Sequence, residues 1–366
     1  MATVIGLGFG DEGKGLTTSY LCSQYENPIV IRFNGGHQAG HTVKHGSIEH
    51  IFSSFGSGTL QGIPTYWSEY CIFEPMSFLE EHKALLSFRL TPMIYVHPLC
   101  PVTTPYDVIS NINHEKEHNH GSVGVGIGKT VQRHEDYYKL YIQDLMFESI
   151  VRAKLKNIAS YYNGRGVVVN NDIVEHFISS LSSVLEIIKI SSHIPNGYDK
   201  IFEGAQGVLL DQDFGFFPHV TRSNTTSKNA RSLFKNDDVY YITRTYQTRH
   251  GNGFMTNEHH GVPDLVNNEG ETNLDTGFQG IFRKSILDIE LLKYALQCDN
   301  NFNHITKNLV ISCIDQTGED FYVTDKNHKQ PFKINVEDLP KMIGGFNEVL
   351  LSYSPHSEQV KSMIFA

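Results

Sequence analysis

ATVIGLGFGDEGKG, residues 2–15, is the stretch that predicts both the fold class and the first candidate site. An apolar strand over residues 3–7 runs directly into a glycine-rich turn, the arrangement that binds phosphate in P-loop proteins. The turn fits the motif G-x-x-x-x-G-K, but Gly15 occupies the next position, where that motif carries a magnesium-binding Ser or Thr. Asp11 and Glu12 hold the only carboxylates of the turn, so they are the expected oxygen ligands for a metal ion there.

Downstream of this turn, apolar segments alternate with helical ones. A helix is predicted over residues 16–24. The further predicted strands are residues 28–32, 167–169, 200–203, 239–242 and 309–312. This alternation is typical of an α/β fold with a mostly parallel central sheet flanked by helices. Residues 111–128 and 258–280 are polar and are expected to be long loops, the first a lid close to a ligand or, alternatively, a flexible surface loop.

Composition and charge exclude several classes of function. The chain of 366 residues has 40% hydrophobic and 19% charged residues, as ordinary globular proteins do. Its net charge of -10 argues against binding to long nucleic acids, so local donors must hold any phosphate ligand. The five cysteines are far apart and lack C-x-x-C spacing, which favours free thiols in a reducing cytoplasm. The sequence shows no signal peptide and no apolar run of about 18 residues, so neither secretion nor membrane insertion is expected.

Two further segments place polar side chains next to glycines. RFNGGHQAGHT, residues 32–42, follows a predicted strand and contains His41. Because α/β proteins bind ligands at the carboxyl ends of strands, His41 is a candidate acid, with a packed or solvated histidine as the alternative. EGAQG, residues 203–207, offers Gln206 as a neutral hydrogen-bonding group for phosphate or sugar, although such residues also serve as ordinary turn formers.

Several blocks together resemble one family. GFGDEGKG (residues 8–15), FNGGHQAGHT (residues 33–42) and EGAQGVLLDQDFGFFPHVTRSNTT (residues 203–226) are similar to the signature blocks of the adenylosuccinate synthetase superfamily, in the same order. Further similarity lies in YQTRHGNG (residues 246–253) and SYSP (residues 352–355). The resemblance implies one catalytic domain over the whole chain, related to P-loop proteins, with the two long loops as insertions.

The resemblance also implies a condensation in two steps. The 6-oxo group of a purine nucleotide attacks the γ-phosphate of a nucleoside triphosphate, and the amino group of L-aspartate then displaces phosphate from C6. Asp11 is implied as the base for the purine N1 proton, and His41 as a donor to the phosphoryl group. Lys14 would neutralise phosphate charge, and Mg2+ would be held by Asp11 and the Gly40 carbonyl.

The family pattern assigns binding roles to many residues of this chain. The residues implied to bind the triphosphate are Gly10, Glu12, Gly13, Lys14, Gly15, Gly40, His41, Thr42, Asp315, Ser352, Ser354 and Pro355. The residues implied to bind the purine monophosphate are Asp11, Asn34, Gln38, Ser122, Val123, Gly124, Arg133, Gln206, Thr221 and His250. Those implied to bind aspartate are Thr276, Gly277, Gln279 and Arg283.

The chain departs from the family pattern at four places. Gln38 stands where the common pattern has Asn, and residues 122–126, SVGVG, stand where it has Thr-Thr-Gly-Arg-Gly, so Arg133 is expected to supply the missing cation. Cys313 replaces a lysine next to the base-reading Asp315, which leaves ATP, dATP and GTP open as energy donors. In the aspartate loop a single arginine, Arg283, remains to bind a carboxylate, with a surface cation as the alternative.

The altered aspartate loop, the compact length and His250 look more like the phage branch of the superfamily. That branch acts on dGMP and makes 2-amino-2'-deoxy-N6-succinyl-AMP, which predicts a ligase of purine biosynthesis in a host cytoplasm. An ordinary adenylosuccinate synthetase that uses IMP and GTP is the alternative, and a P-loop GTPase or kinase or a non-catalytic nucleotide-binding protein are alternatives of other classes. Relatives are homodimers, so a homodimer is expected, with small molecules rather than nucleic acid or membranes as partners.

Overall fold

The computed structural model describes residues 1–118, 124–235, 238–266, 280–300, 306–328 and 330–363. Its strands are β1 Ala2–Gly6, β2 Pro28–Arg32, β3 His41–His45, β4 Ile48–Phe52, β5 Thr65–Trp67, β6 Ile94–Val96, β7 Ile188–Ile190, β8 Asp199–Gly207, β9 Asp238–Arg244, β10 Tyr246–His250, β11 Phe282–Asp288, β12 Thr306–Ser312, β13 Asp320–Thr324, β14 Phe332–Asn335, β15 Glu348–Leu351 and β16 Lys361–Ser362. Its helices are α1 Lys14–Gln24, α2 Pro75–Ser87, α3 Pro105–His118, α4 Ile127–Glu135, α5 Glu148–Asn163, α6 Asn171–Ile187, α7 Lys228–Leu233, α8 Ile289–Asn300, α9 Ile314–Thr317 and α10 Asp338–Ile343.

A ten-stranded central sheet organises the described part of the chain, in the order β16-β15-β12-β9-β1-β8-β2-β5-β6-β7. Its pairings are parallel except for β15 with the edge strand β16, which confirms the predicted α/β class. Strands β1 and β2 are buried along their whole length, as expected for apolar strands covered by helices on both faces. The β1 strand pairs with β8 on one side and β9 on the other, so the glycine turn after β1 leaves the middle of the sheet.

Helices and smaller sheets cover the central sheet. One large apolar cluster joins β5 and β6 to α2, α5 and α6, and a second joins β9, β12 and β15 to α8 and α10. A second sheet has the order β10-β11-β13-β14, and β3 pairs with β4 as a hairpin. In the part of the chain that the structure describes, no helix is long and apolar enough to span a bilayer.

Two predictions of local structure are wrong. Residues 167–169 form no strand but an irregular connection after α5, because the Val167 N–H donates to the Tyr162 carbonyl and thereby closes the helix end. The first predicted loop is shorter than residues 111–128: α3 continues to His118, and its polar residues Asn111 and Glu115 are buried on the face that lines a polar cavity. Within the second predicted loop, residues 258–260 form a single 3-10 turn, and residues 267–279 lie outside the described chain.

Candidate active site

A cavity of about 830 Å³ lies at the carboxyl ends of the central strands. Each of these neighbouring strands supplies a lining residue near or after its carboxyl end. They are Asp11 after β1, Gln38 after β2, Gln206 as the penultimate residue of β8, Arg244 at the end of β9 and Asp315 after β12. Parallel strands all end at the same edge of a sheet, which is why residues distant in sequence meet here. The volume lies within the range of small-molecule and cofactor sites.

The glycine turn after β1 is shaped from within by Glu12. Its buried carboxylate accepts hydrogen bonds from the Gly8 N–H (3.0 Å) and the Gly10 N–H (2.7 Å), and it pairs with the Lys14 ammonium at 2.5 Å. Glu12 does not line the cavity, and its buried carboxylate is used to fold the turn, so binding of the triphosphate by Glu12 stays a prediction. Lys14 does reach the cavity, so it retains its expected place beside the ligand.

The missing hydroxyl at Gly15 has a steric cause. A Cβ atom on Gly15 would lie 2.9 Å from the Cβ of His41 and 3.2 Å from the Thr42 carbonyl oxygen. Strand β3 therefore packs directly on the first turn of α1, where a Ser or Thr would collide with it. This close approach places His41 next to the phosphate-binding turn. His41 thus occupies the space that a Ser or Thr side chain at position 15 would need.

Asp11 lies at the tip of the turn with a left-handed backbone (φ 63°), and its side chain is 24% exposed to the cavity. Burial raises the pKa of the Asp11 carboxyl, and the charges of His250, Arg244 and Lys14 oppose that rise. The His250 Nε2 atom lies 3.5 Å from Asp11 Oδ2, and the Arg244 guanidinium donates to the Asp11 main-chain oxygen at 2.5 Å. A carboxylate with a raised pKa, held at a cavity wall, has the properties of a general base.

His41 is buried and is oriented by Glu203. Its Nδ1 atom lies 2.7 Å from Glu203 Oε1, while Nε2 has no hydrogen-bond partner among the described residues and His41 lines the cavity. Burial lowers the pKa of His41, and the Glu203 carboxylate opposes that effect. Burial alone would raise the pKa of Glu203, but His41, Arg32 and the Ser57 hydroxyl outweigh it and hold that pKa at about 2. Glu203 is therefore ionised, and it directs the free nitrogen of His41 towards the ligand space.

Comparisons with known proteins agree with this arrangement. Residues 3–328 match the sequence model of the family described as Adenylosuccinate synthetase. The chain belongs to the adenylosuccinate synthetase family. It is 30% identical over 355 residues to the adenylosuccinate synthetase of Picrophilus torridus, covering 92% of this chain and 84% of the relative. It is 32% identical to that of Thermoplasma volcanium, covering 82% and 73%.

Solved structures share the fold of this adenylosuccinate synthetase family member. A fully ligated adenylosuccinate synthetase from Plasmodium falciparum superposes with a TM-score of 0.79 at 18% identity, covering 99% of both chains. A cyanophage S-2L succinoaminodeoxyadenylate synthetase (PurZ), bound to dGMP and dATP as an energy donor, superposes with a TM-score of 0.63 at 15% identity, covering 100% of this chain and 95% of the other. The chain is thus an adenylosuccinate synthetase-type ligase that condenses aspartate with a purine nucleotide.

Most residues assigned from the family pattern line the cavity. On the triphosphate side these are Gly10, Gly13, Lys14, Gly15, Gly40, His41, Thr42, Asp315, Ser352, Ser354 and Pro355. On the monophosphate side they are Asp11, Gln38, Gly124, Gln206, Thr221 and His250. Two of them, Gln38 and Gln206, carry a buried side-chain Oε1 atom that has no hydrogen-bond partner in the described part of the chain.

Two residues assigned to the monophosphate, Arg133 and Asn34, are not among those that line the cavity. Arg133 is fully buried and does not line the cavity: its guanidinium pairs with Asp107 (2.8 Å and 3.0 Å) and donates to the carbonyls of Val102 and Tyr138. Asn34 is equally buried, and its amide bonds the backbone N–H and carbonyl of Ala205. Both side chains stabilise the fold and do not line the ligand space.

The aspartate-binding prediction finds no direct counterpart in the described cavity. Arg283 does not line it, and its guanidinium donates to Glu258 Oε1 at 2.6 Å and to the Gly253 carbonyl at 2.9 Å. Glu258 is exposed, and an exposed ion pair of this kind contributes little energy, so Arg283 could exchange it for a carboxylate ligand. The other residues assigned here and to the lid, Ser122, Val123, Thr276, Gly277 and Gln279, lie outside the described residues.

Sequence reasoning missed several cations that line the cavity. Arg244 ends β9 two residues before the block of residues 246–253, and Arg249 lies in β10 within that block, which was the available signal. Arg249 is fixed by three carbonyls, those of His219, Asn252 and Phe254. Three more unassigned cations line the cavity: Lys44 on β3 and Lys129 on α4 lie outside the quoted blocks, whereas Arg222 lies within the block of residues 203–226.

Proposed function

We propose that this ligase joins L-aspartate to C6 of dGMP through a 6-phosphoryl intermediate and yields 2-amino-2'-deoxy-N6-succinyl-AMP. The observation that carries the chemistry is the meeting of Asp11 and the Glu203-oriented His41 at one cavity beside a phosphate-binding turn. One group is suited to take a proton and the other to donate to phosphate, which is the pair of functions that phosphorylation of a purine oxygen requires.

The choice of purine rests on hydrogen-bonding capacity. dGMP differs from IMP in its 2-amino group, which brings two further N–H donors into the site. Gln38 and Gln206 line the same cavity as Asp11, and each has a buried amide oxygen without a partner among the described residues that can accept from such a donor. The altered aspartate loop supports the same assignment. The fold is shared both with a PurZ bound to dGMP and dATP and with an adenylosuccinate synthetase, so it is compatible with either purine. IMP is the second candidate, because the curated relatives most similar in sequence are adenylosuccinate synthetases.

The proposed reaction proceeds in two balanced steps. Asp11 accepts the purine N1 proton while O6 bonds to the γ-phosphorus and the bridging P–O bond to the nucleoside diphosphate breaks. His41 donates through Nε2 to the oxygens on which charge develops, and Glu203 stabilises the imidazolium form that this requires. The neutral aspartate amine then attacks C6 and the C6–O bond breaks, so that inorganic phosphate leaves and takes up the proton that the amine loses.

A magnesium ion fits the donors that the cavity presents. In the described ranges no group of three or more His, Cys, Asp or Glu side chains could hold a metal on its own. Asp11 and the Gly40 carbonyl both border the cavity, and Mg2+ is commonly held by one or two protein oxygens plus substrate phosphates. When bound, the ion would neutralise charge on the triphosphate.

The energy donor is proposed to be ATP or dATP, with GTP as the alternative. Asp315 begins α9 at the cavity wall, preceded by Cys313 in a left-handed conformation (φ 60°) where the family pattern has a lysine. Without that cation a guanine base loses one expected contact. We also propose that Arg283 and the segment with Thr276, Gly277 and Gln279 hold the aspartate carboxylates, and that the protein forms a homodimer.

The test is turnover by the purified protein with Mg2+, L-aspartate and every pairing of dGMP, GMP or IMP with ATP, dATP or GTP. The proposal expects aspartate-dependent release of phosphate, with dGMP giving the highest kcat/KM. Activity with IMP alone would replace dGMP by the second candidate. Phosphate release that does not need aspartate would instead indicate a GTPase or kinase.

A further inference from the structure

The cavity contains, beside Thr221, two cations to which the family pattern gave no binding role, Lys129 and Arg222. Lys129 lies in the first turn of α4, and Arg222 follows Thr221 in the segment after β8. Both line the cavity together with Thr221. Arg222 lies beside the residue that precedes Lys129, because a Cβ atom on Gly128 would be 3.8 Å from Cδ of Arg222, an ordinary van der Waals distance.

Neither side chain forms a buried ion pair in the described part of the chain. In the part of the chain that the structure describes, the Lys129 ammonium makes no hydrogen bond or ion pair. Arg222 donates to Glu135 at 2.6 Å, but both side chains of that pair are about half exposed (46% and 58%), so it contributes little and can be exchanged. Arg133, by contrast, has its donors occupied by buried partners.

The charges of the two side chains act on each other. Burial and the Arg222 charge lower the pKa of the Lys129 ammonium, and the nearby Glu115 opposes them. The two like charges repel each other in the free protein, and an anion bound by both relieves the repulsion. A phosphate monoester carries about two negative charges at neutral pH, whereas each carboxylate of aspartate carries one, so the pair matches phosphate better.

We propose that Lys129 and Arg222 together bind the 5'-phosphate of the purine monophosphate. This inference rests on the proposed function, because it takes the ligand in this part of the cavity to be a nucleoside monophosphate. The two side chains anchor the nucleotide from α4 and from the segment after β8, while its base extends towards Asp11. They touch the substrate far from the reacting atoms, so they set affinity and do not take part in the bond changes.

The experiment compares Lys129→Gln, Arg222→Gln and the double variant with wild type, using dGMP and IMP. Lys156→Gln is the matched control, because it removes one positive charge from the exposed face of α5, away from the cavity. Each single variant should raise the KM for the monophosphate by about ten-fold to a hundred-fold, the loss of one charge-assisted hydrogen bond. The KM for the triphosphate and for aspartate should stay unchanged, and Lys129→Arg should restore most of the affinity.

Calorimetric titration separates this inference from the proposed function. Wild type should bind dGMP more tightly than deoxyguanosine, and the double variant should lose that difference while binding the nucleoside as before. Unchanged monophosphate affinity in both single variants, or a rise in the KM for aspartate instead, would overturn the inference. A wild-type protein that binds dGMP through these residues but never uses aspartate would overturn only the proposed function.

Discussion

Replacing Glu203 by Gln tests how the site prepares His41. The carboxylate is fully buried, and its pKa of about 2 against 4.5 for an ordinary glutamate corresponds to roughly 3 kcal/mol of preference for the ionised form. The neutral amide of Gln removes the negative charge beside His41 Nδ1. The imidazolium form of His41 is then less stable when negative charge develops on the phosphate. We expect kcat to fall by roughly 10² to 10⁴, the usual worth of a positioned acid.

The assay is aspartate-dependent phosphate release at saturating substrates, with chemical unfolding measured in parallel. Glu203→Gln should also lower stability, by about 3 to 5 kcal/mol at most, because the buried Arg32 guanidinium 4.0 Å away loses its carboxylate. Asp299→Asn is the matched control: this buried carboxylate accepts from Ser227 and Tyr241 outside the cavity, so it should lower stability and leave kcat intact. A folded Glu203→Gln protein with wild-type kcat would refute the reasoning.

Four further outcomes follow from the same geometry. Asp11→Asn should lower kcat by about 10² or more in the same assay, since the amide cannot accept the purine N1 proton. Gln38→Asn restores the common family residue, whose side chain is one methylene shorter. It should lower the dGMP-to-IMP ratio of kcat/KM by about ten-fold, because the amide oxygen no longer reaches the purine 2-amino group. Arg133→Met should lower the unfolding free energy by about 3 to 5 kcal/mol, because Asp107 is left buried and unpaired, while the KM for the monophosphate stays the same. The Glu203 contribution to stability is complete above its unfolded pKa of 4.5 and is lost as pH falls towards about 2, so urea unfolding of wild type should approach that of Glu203→Gln as the pH is lowered.

The fold was predictable where local signals and burial coincide. Strand β2 was predicted with its observed bounds because four apolar residues precede Arg32 in PIVIR, and the whole strand is buried. The triplet at residues 167–169 is equally apolar, yet it closes the end of α5, since a run of three residues does not distinguish a strand from a helix terminus. The polarity of residues 111–118 indicated a loop but reflects a helix that borders a polar cavity.

The site was predictable where it follows the glycine motif and less so elsewhere. Asp11, Lys14 and His41 line the cavity as expected. The side chains of Glu12 and Arg133 form hydrogen bonds within the protein instead of lining the cavity. The sequence does not reveal this, because their partners become neighbours only in the folded chain.

Oxygen transfer tests the central claim most directly. The protein is incubated with dGMP carrying oxygen-18 at C6, together with aspartate, Mg2+ and ATP, and the released phosphate is analysed by mass spectrometry. If O6 of the purine is phosphorylated and then displaced by aspartate, the heavy oxygen appears in inorganic phosphate, one atom for each succinylated nucleotide. Phosphate released without the label, or label retained in the nucleotide product, would contradict the account.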